Sequence, residues 1–220
     1  MDIRPEQGLM KKERVGIFGG TFDPPHVGHL ILAMEAMDQL SLDKVMWVLA
    51  PNPPHKQGKR ITPVDTRIEL VNIAIGDDRN FELSYADINR PGPHYILDTM
   101  YILREEFPDA DLAFLMGGDS LHDLLEWHKP REFIDACDHV GVMRRPGEVI
   151  NIDHLIKEIP ALEAKMEFID APLLEISSNQ IRQLIRNGQP YRYYLPVGVY
   201  HLIEESGLYV QGEQDEELEK

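Results

Sequence analysis

A single cysteine, Cys137, stands in 220 residues, so no internal disulfide can form, and neither a cysteine-rich zinc site nor a CxxC redox pair is possible. Such a chain suits a reducing compartment, and a cytoplasmic protein is expected. No stretch approaches the ~18 consecutive apolar residues of a membrane span, and the opening MDIRPEQGLMKKERVGIF has no apolar stretch ahead of its lysines. Neither a leader nor a membrane partner is expected. Basic residues are also scarce: 22 Lys and Arg stand against 38 Asp and Glu, a net charge of −16. That balance disfavours a broad grip on nucleic acid, so an anionic partner has to be met locally. A Walker A loop is missing, which argues against a P-loop NTPase, and no repeat with a period of some 20 to 50 residues is present.

What is there is an ordinary globular balance, 43% hydrophobic and 27% charged, in a length that suits one enlarged domain rather than two. Residues 1–13 are polar, and residues 210–220 end in the acidic run EQDEELEK; both are expected to be loose tails around a single domain at 14–209. Largely apolar runs at 14–18, 44–49, 81–88, 112–116, 139–143 and 166–169 fit strands buried on both faces of a parallel sheet. Helix-period segments lie at 27–40, 64–75, 96–106, 120–126, 153–159, 178–187 and 196–205. The alternation predicts an α/β fold, an open parallel sheet with helices on both faces, and a small C-terminal helical subdomain at about 177–209. Ligands of such sheets bind outside the carboxyl ends of the strands.

Residues 19–30 read GGTFDPPHVGHL, between the first expected strand and the first helix. Gly19 and Gly20 let the backbone turn tightly and approach a ligand, and Pro24 and Pro25 pre-set φ ahead of the helix. Helix amides and the positive end of the helix dipole then face whatever lies above the strand, which suits a phosphate. His26 and His29, three residues apart, project from one helix face toward that point and can donate to phosphate oxygens. Two plainer readings stand beside this one. The segment can be a structural turn punctuated by Gly and Pro, or half of a zinc site, although HExxH spacing and an obvious third ligand are missing.

This dodecapeptide resembles the signature of the bacterial nicotinate mononucleotide adenylyltransferases, within the HxGH nucleotidyltransferase superfamily. The resemblance implies a Rossmann-like domain that binds ATP, with His26 and His29 on its phosphates and Gly19, Gly20, Thr21 and Phe22 against the nucleotide.

The stretch 50–64 holds Lys56, Lys59 and Arg60 and no acid. A lysine above a strand end neutralises a phosphate as a point charge; a solvated turn is the alternative. The family carries a similar PPHK segment beside its active site, which singles out Lys56. Further on, ISSNQIRQLIRNG opens a stretch, 176–203, with Arg182, Arg186 and Arg192 and again no acid. Ser177 suits a helix cap, and helix amides, a hydroxyl and a guanidinium together make a second anion site. The segment resembles the family's ISSTxIR motif, with Asn179 in place of threonine. That implies Ser178 and Arg182 on the β and γ phosphates, beside Ser177.

RPGPHYILDTM at 90–100 reads by itself as a loop entering a helix. It resembles the family's SYTxDT segment, which implies that His94, Tyr95 and Ile96 face the acceptor's nicotinate carboxylate. His94 replaces the serine and Ile96 the threonine, so backbone amides and a His94 donor are expected to read the carboxylate. Asp119, in the GGD that begins at Gly117, suits ribose hydroxyls or a helix cap equally. Trp127 suits a core position by default, whereas the family places a tryptophan near the pyridine ring. His128 and the remaining histidines read as surface or core residues.

The reaction so implied joins ATP and nicotinate mononucleotide into deamido-NAD and pyrophosphate. A phosphate monoester loses its second proton near a pKa of ~6, so the attacking group needs no general base. Mg2+ is expected to be held mainly through ATP phosphates and water, and no protein ligand is assigned to it. The alternatives are the same chemistry on nicotinamide mononucleotide or phosphopantetheine, and a nucleotide sensor without turnover. Assembly of several copies is compatible with the sequence.

Overall fold

The computed structural model describes residues 12–52, 61–143, 150–172 and 175–210, and within them the apolar runs become six strands. These are β1 (Arg14–Gly20), β2 (Lys44–Leu49), β3 (Phe81–Ser84), β4 (Asp111–Gly117), β5 (His139–Met143) and β6 (Met166–Ile169). They form one sheet in the order β3-β2-β1-β4-β5-β6, and every pairing is parallel. The helices are α1 (Val27–Gln39), α2 (Val64–Ile75), α3 (Ile96–Glu106), α4 (Gly118–His122), α5 (Pro130–Ala136), α6 (Ile152–Glu158), α7 (Ala161–Lys165), α8 (Ser178–Arg186) and α9 (Val197–Ser206). Among the described residues no helix is long and apolar enough to cross a membrane.

Successive strand residues point to opposite faces, and here both faces are apolar. Val45, Trp47 and Leu49 of β2 join Phe18, Leu115 and the α1 and α2 residues Leu32, Ala36 and Val71 in one layer. Met46 and Val48 join Val15, Ile17, Leu112 and Phe114 in the other layer, under Leu97, Met100 and Leu103 of α3 and Phe133 of α5. The chain thus winds outward from β1 along one face, then crosses to β4 and winds outward along the other. The reversal opens a crevice at the carboxyl ends of β1 and β4, where an α/β sheet of this order takes its ligands. Gly20, Leu49, Gly117 and Met143 mark that edge.

A third apolar cluster joins Leu70 and Ala74 of α2 to Ile181, Ile185, Tyr191, Leu195, Val199 and Ile203. The C-terminal helices therefore have a small core of their own, seated on α2, and α8 begins at the carboxyl edge.

Several boundaries differ from expectation. The third strand ends at Ser84 rather than at residue 88: the chain turns there, the Ala86 amide donating to Ser84 Oγ at 3.3 Å. Asp87 is then drawn under α3 by Thr99, whose hydroxyl donates to its carboxylate at 2.7 Å. The helix expected at 120–126 is α4 followed by a separate 3₁₀ turn, Leu124–Glu126. Helices α5 and α7 were not foreseen; they have only seven and five residues, too few to display a period, and Pro130 occupies the first turn of α5, where proline is tolerated.

Ile203 is 1% exposed within the C-terminal cluster. Replacing Ile203 with Ala is expected to cost about 2–5 kcal/mol, read from chemical denaturation. An unchanged midpoint would mean that α9 does not share a cooperative core with α2.

Candidate active site

His26 and His29 meet at the start of α1. His26 is the N-cap residue, 6% exposed, and the two rings stack with centroids 3.6 Å apart at 23°. The His26 amide donates to Nδ1 of His29 at 3.1 Å, while the His29 amide donates to the His26 carbonyl at 2.9 Å. Because Nδ1 of His29 is an acceptor, the donor of a neutral imidazole is Nε2, on the far side of the ring. Phe22 and Phe18 pack against the same ring, with centroids 5.2 Å and 5.8 Å away. Gly28 packs closely on the ring: a Cβ there would lie 3.1 Å from Nδ1 of His26, which would have to give by a few tenths of an ångström.

The turn between β1 and α1 is fastened from below and from the side. Arg67 of α2, 1% exposed, donates to four carbonyls, those of Thr62 (2.8 Å), Thr21 (3.1 Å), Ala50 (2.8 Å) and Pro51 (2.8 Å). Burial lowers its guanidinium pKa, and the Asp23 carboxylate opposes that shift. Asp23, itself 5% exposed, accepts from the Thr62 amide at 3.3 Å and from the Tyr209 hydroxyl at 2.8 Å. Burial, and then the charge of Asp23, raise the Tyr209 pKa, so the phenol stays a donor.

The two candidate anion-binding segments singled out in the sequence come together at this turn. Ser178 Oγ donates to the Pro24 carbonyl at 2.8 Å, and Arg182 donates to the Asp23 carbonyl at 2.7 Å. Asn179, in the place of threonine, accepts a second Arg182 N–H at 3.3 Å, and Ser177 caps α8 by accepting from the Gln180 amide at 3.2 Å. Gly19 and Gly20 form the last two residues of β1 rather than a loop. Phe22 keeps only its backbone for a ligand, since its side chain is 2% exposed in the core. Lys56 lies outside the described residues. Among the described residues no three His, Cys, Asp or Glu side chains gather to hold a metal.

Across the crevice, Gly117 is the N-cap of α4, and Asp119 accepts from the Ser120 amide at 3.0 Å while remaining exposed. A Cβ at Gly117 would lie 2.6 Å from Oδ1 of Asp119, so the glycine makes room for that carboxylate. His94 is buried, with Nε2 3.2 Å from the Arg90 carbonyl. Tyr95 stacks on His128 with centroids 4.0 Å apart, and Trp127 is half-buried against Phe114 and Phe133. A Cβ at Gly19 would lie 3.8 Å from Cδ1 of Ile96, so Ile96 borders the end of β1. Of the acceptor-side candidates, Ile96 thus touches the carboxyl edge and Trp127 packs on Phe114 of β4.

The cytidylyltransferase-like family model matches residues 17–184. A probable nicotinate-nucleotide adenylyltransferase of Thermomicrobium roseum is 41% identical over 89% of this chain and 91% of its own length. The nicotinate-nucleotide adenylyltransferase of Bacillus subtilis is 36% identical over 90% of this chain and 98% of its own. The chain belongs to the nicotinate-nucleotide adenylyltransferases. Its fold is also that of the Plasmodium falciparum nicotinic acid mononucleotide adenylyltransferase, with a TM-score of 0.74 at 18% identity, covering 90% of this chain and 97% of that one.

In this adenylyltransferase the residues that sequence inspection passed over are those that hold the motifs in place. Arg67 lies on the apolar stripe of α2 with Leu70, Val71 and Ala74, a cation where only core residues are expected. Asp23 is the only charged residue between Val15 and Met34. Both anomalies are visible in the sequence. Tyr209, beyond the end of α9, carries no such mark.

Gly28→Ala tests the packing of the two imidazoles. The added methyl displaces the His26 ring, and kcat of the enzyme should fall on the order of 10–100-fold with an unchanged thermal midpoint. Unchanged kcat would detach ring placement from turnover.

Proposed function

We propose that the enzyme transfers AMP from ATP to nicotinate mononucleotide, releasing pyrophosphate and deamido-NAD, with the triphosphate lying between the start of α1 and the start of α8. The observation that carries this reading is the junction at Asp23 and Pro24. There the histidine-bearing turn and the Ser178–Arg182 segment, more than 150 residues apart in the chain, are joined by two hydrogen bonds. The membership of the chain among nicotinate-nucleotide adenylyltransferases supports the same choice of donor and acceptor.

The acceptor's phosphate is largely dianionic at neutral pH and attacks the α-phosphorus of ATP directly. A new P–O bond forms as the bond to the bridging oxygen of the β-phosphate breaks, and pyrophosphate carries away the bonding electrons. The protein's part is alignment and neutralisation of charge. Nε2 of His29, His26 and the amides at the α1 N-terminus serve the α-phosphate side. Arg182 and the α8 amides, that of Ser178 among them, serve the departing pyrophosphate, joined by Lys56. Pairing with the Asp23 carbonyl holds the Arg182 guanidinium at the rim of the turn. His94, Tyr95, Ile96 and Trp127 face the pyridine ring, and Gly117 and Asp119 the ribose.

Mg2+ fits this arrangement as part of the Mg·ATP substrate. Both Asp23 carboxylate oxygens already accept hydrogen bonds, so that acid is not offered to a cation.

Purified enzyme supplied with Mg·ATP and each acceptor in turn, with pyrophosphate release followed, tests the reading. Rapid release is expected with nicotinate mononucleotide, and little with nicotinamide mononucleotide or phosphopantetheine. Release with none of them would overturn adenylyl transfer, and equal rates with acid and amide would overturn the carboxylate preference. His29→Ala removes one donor to the reacting phosphate and should lower kcat by about 10²–10³-fold at an unchanged thermal midpoint. Near-normal turnover would take His29 out of the mechanism.

A further inference from the structure

A buried guanidinium is costly unless its donors are taken, and nothing in the packing of α2 calls for a cation. Arg67 nevertheless stands on the apolar stripe of that helix, and four of its donated bonds go to backbone carbonyls rather than to a carboxylate. Those carbonyls belong to three separate pieces of chain: the turn after β1 (Thr21), the chain leaving β2 (Ala50 and Pro51), and the residue pair before α2 (Thr62).

The choice of carbonyls has a geometric consequence. In a planar trans peptide the C=O of one residue and the N–H of the next point in opposite directions. With the Thr21 carbonyl turned to Arg67, the Phe22 N–H points away from α2. Likewise the Pro51 carbonyl turns the Asn52 N–H away, while the Ala50 carbonyl precedes a proline and turns no amide. Phe22 holds a positive φ of 50°, a conformation that most residues avoid and that needs such external fastening.

We infer that Arg67 is a positioning residue of the triphosphate site: it locks the turn after β1 to the chain leaving β2 and aims the Phe22 amide at the nucleotide. The inference rests on the adenylyl-transfer reading, because it takes this turn to be where ATP binds. Arg67 does not touch substrate and acts only through the backbone it holds. A fork of several N–H groups is the requirement, so a lysine, with the same charge on a compact ammonium, cannot replace it.

The test uses the full-length enzyme. Wild-type protein and Arg67→Lys are titrated with a non-hydrolysable ATP analogue, and their steady-state kinetics and thermal unfolding are compared. Arg67→Lys should melt cooperatively, bind the analogue about tenfold more weakly and lose kcat, with KM for nicotinate mononucleotide within about twofold of the wild type. A folded Arg67→Lys protein that binds the analogue as the wild type does overturns the inference. A second measurement stands apart from any variant. In the amide nuclear magnetic resonance spectrum of the wild type, the Phe22 resonance should move on addition of the analogue, and a stationary Phe22 resonance overturns the inference even if Arg67→Lys fails to fold. Failure of the wild type to bind the analogue at all is the distinct outcome that overturns the adenylyl-transfer reading and this inference with it.

Discussion

The chain leaves β1 through six residues, 21–26, that belong to no helix or strand, and their backbone polar groups have to find partners elsewhere. Pro24 and Pro25 bring no amide of their own. The carbonyls of Thr21, Asp23 and Pro24 are met by Arg67, Arg182 and Ser178. Three obligations of an irregular turn are thus discharged by side chains of two helices, α2 from beneath and α8 from the side. This constraint makes the C-terminal helices part of the site rather than an appendage. Their own small core on α2 sets where α8 begins, and the start of α8 in turn fixes Asp23 and Pro24.

Charge is handled on the same short scale. A chain of net charge −16 repels polyphosphates at long range, but at physiological ionic strength that repulsion is screened beyond about 8 Å. What decides binding is the immediate lining, and two of the stretches proposed to form it, 24–34 and 176–203, contain no acid. The acid that does enter the turn, Asp23, is buried between the Thr62 amide, the Tyr209 hydroxyl and the field of Arg67. Its charge is spent within the scaffold. The overall acidity and the local preference for anions are therefore compatible: one is a property of the solvated surface, the other of a recessed edge.

The strands were legible because a parallel sheet buried on both faces leaves uninterrupted apolar runs, and 44–49, 139–143 and 166–169 have the boundaries expected of them. Where a run continued beyond its strand, as at 81–88, the cause was a polar cluster assembled from a distant helix, which no local pattern encodes. The glycines, histidines and serines of the site were legible as residue types, and the family resemblance arranged them. Arg67 was not legible as a site residue, because its partners are carbonyls, identical at every position and so without a sequence signature. Only its place on an apolar stripe betrayed it.

The acceptor side repeats the device. Arg90 donates to the carbonyls of Pro93 (3.0 Å) and Tyr95 (3.2 Å) and to Asp87 (3.0 Å), while the buried Thr99 bridges Asp87 to α3. The shape of the loop at 90–96 is therefore fixed by the bonds of Arg90 to its backbone, by the Asp87–Thr99 pair and by the contact of His94 Nε2 with the Arg90 carbonyl. The same network holds the backbone on which His94 and Ile96 stand. It also assigns the threonine of the DT pair to scaffolding, since Thr99 is fully buried and has no route to a ligand. Each half of the crevice is thus shaped by arginines bonded to carbonyls, Arg67 and Arg182 on one side and Arg90 on the other. Such bonds are indifferent to side-chain identity, so residues facing the crevice can vary while the peptide planes behind them keep their directions.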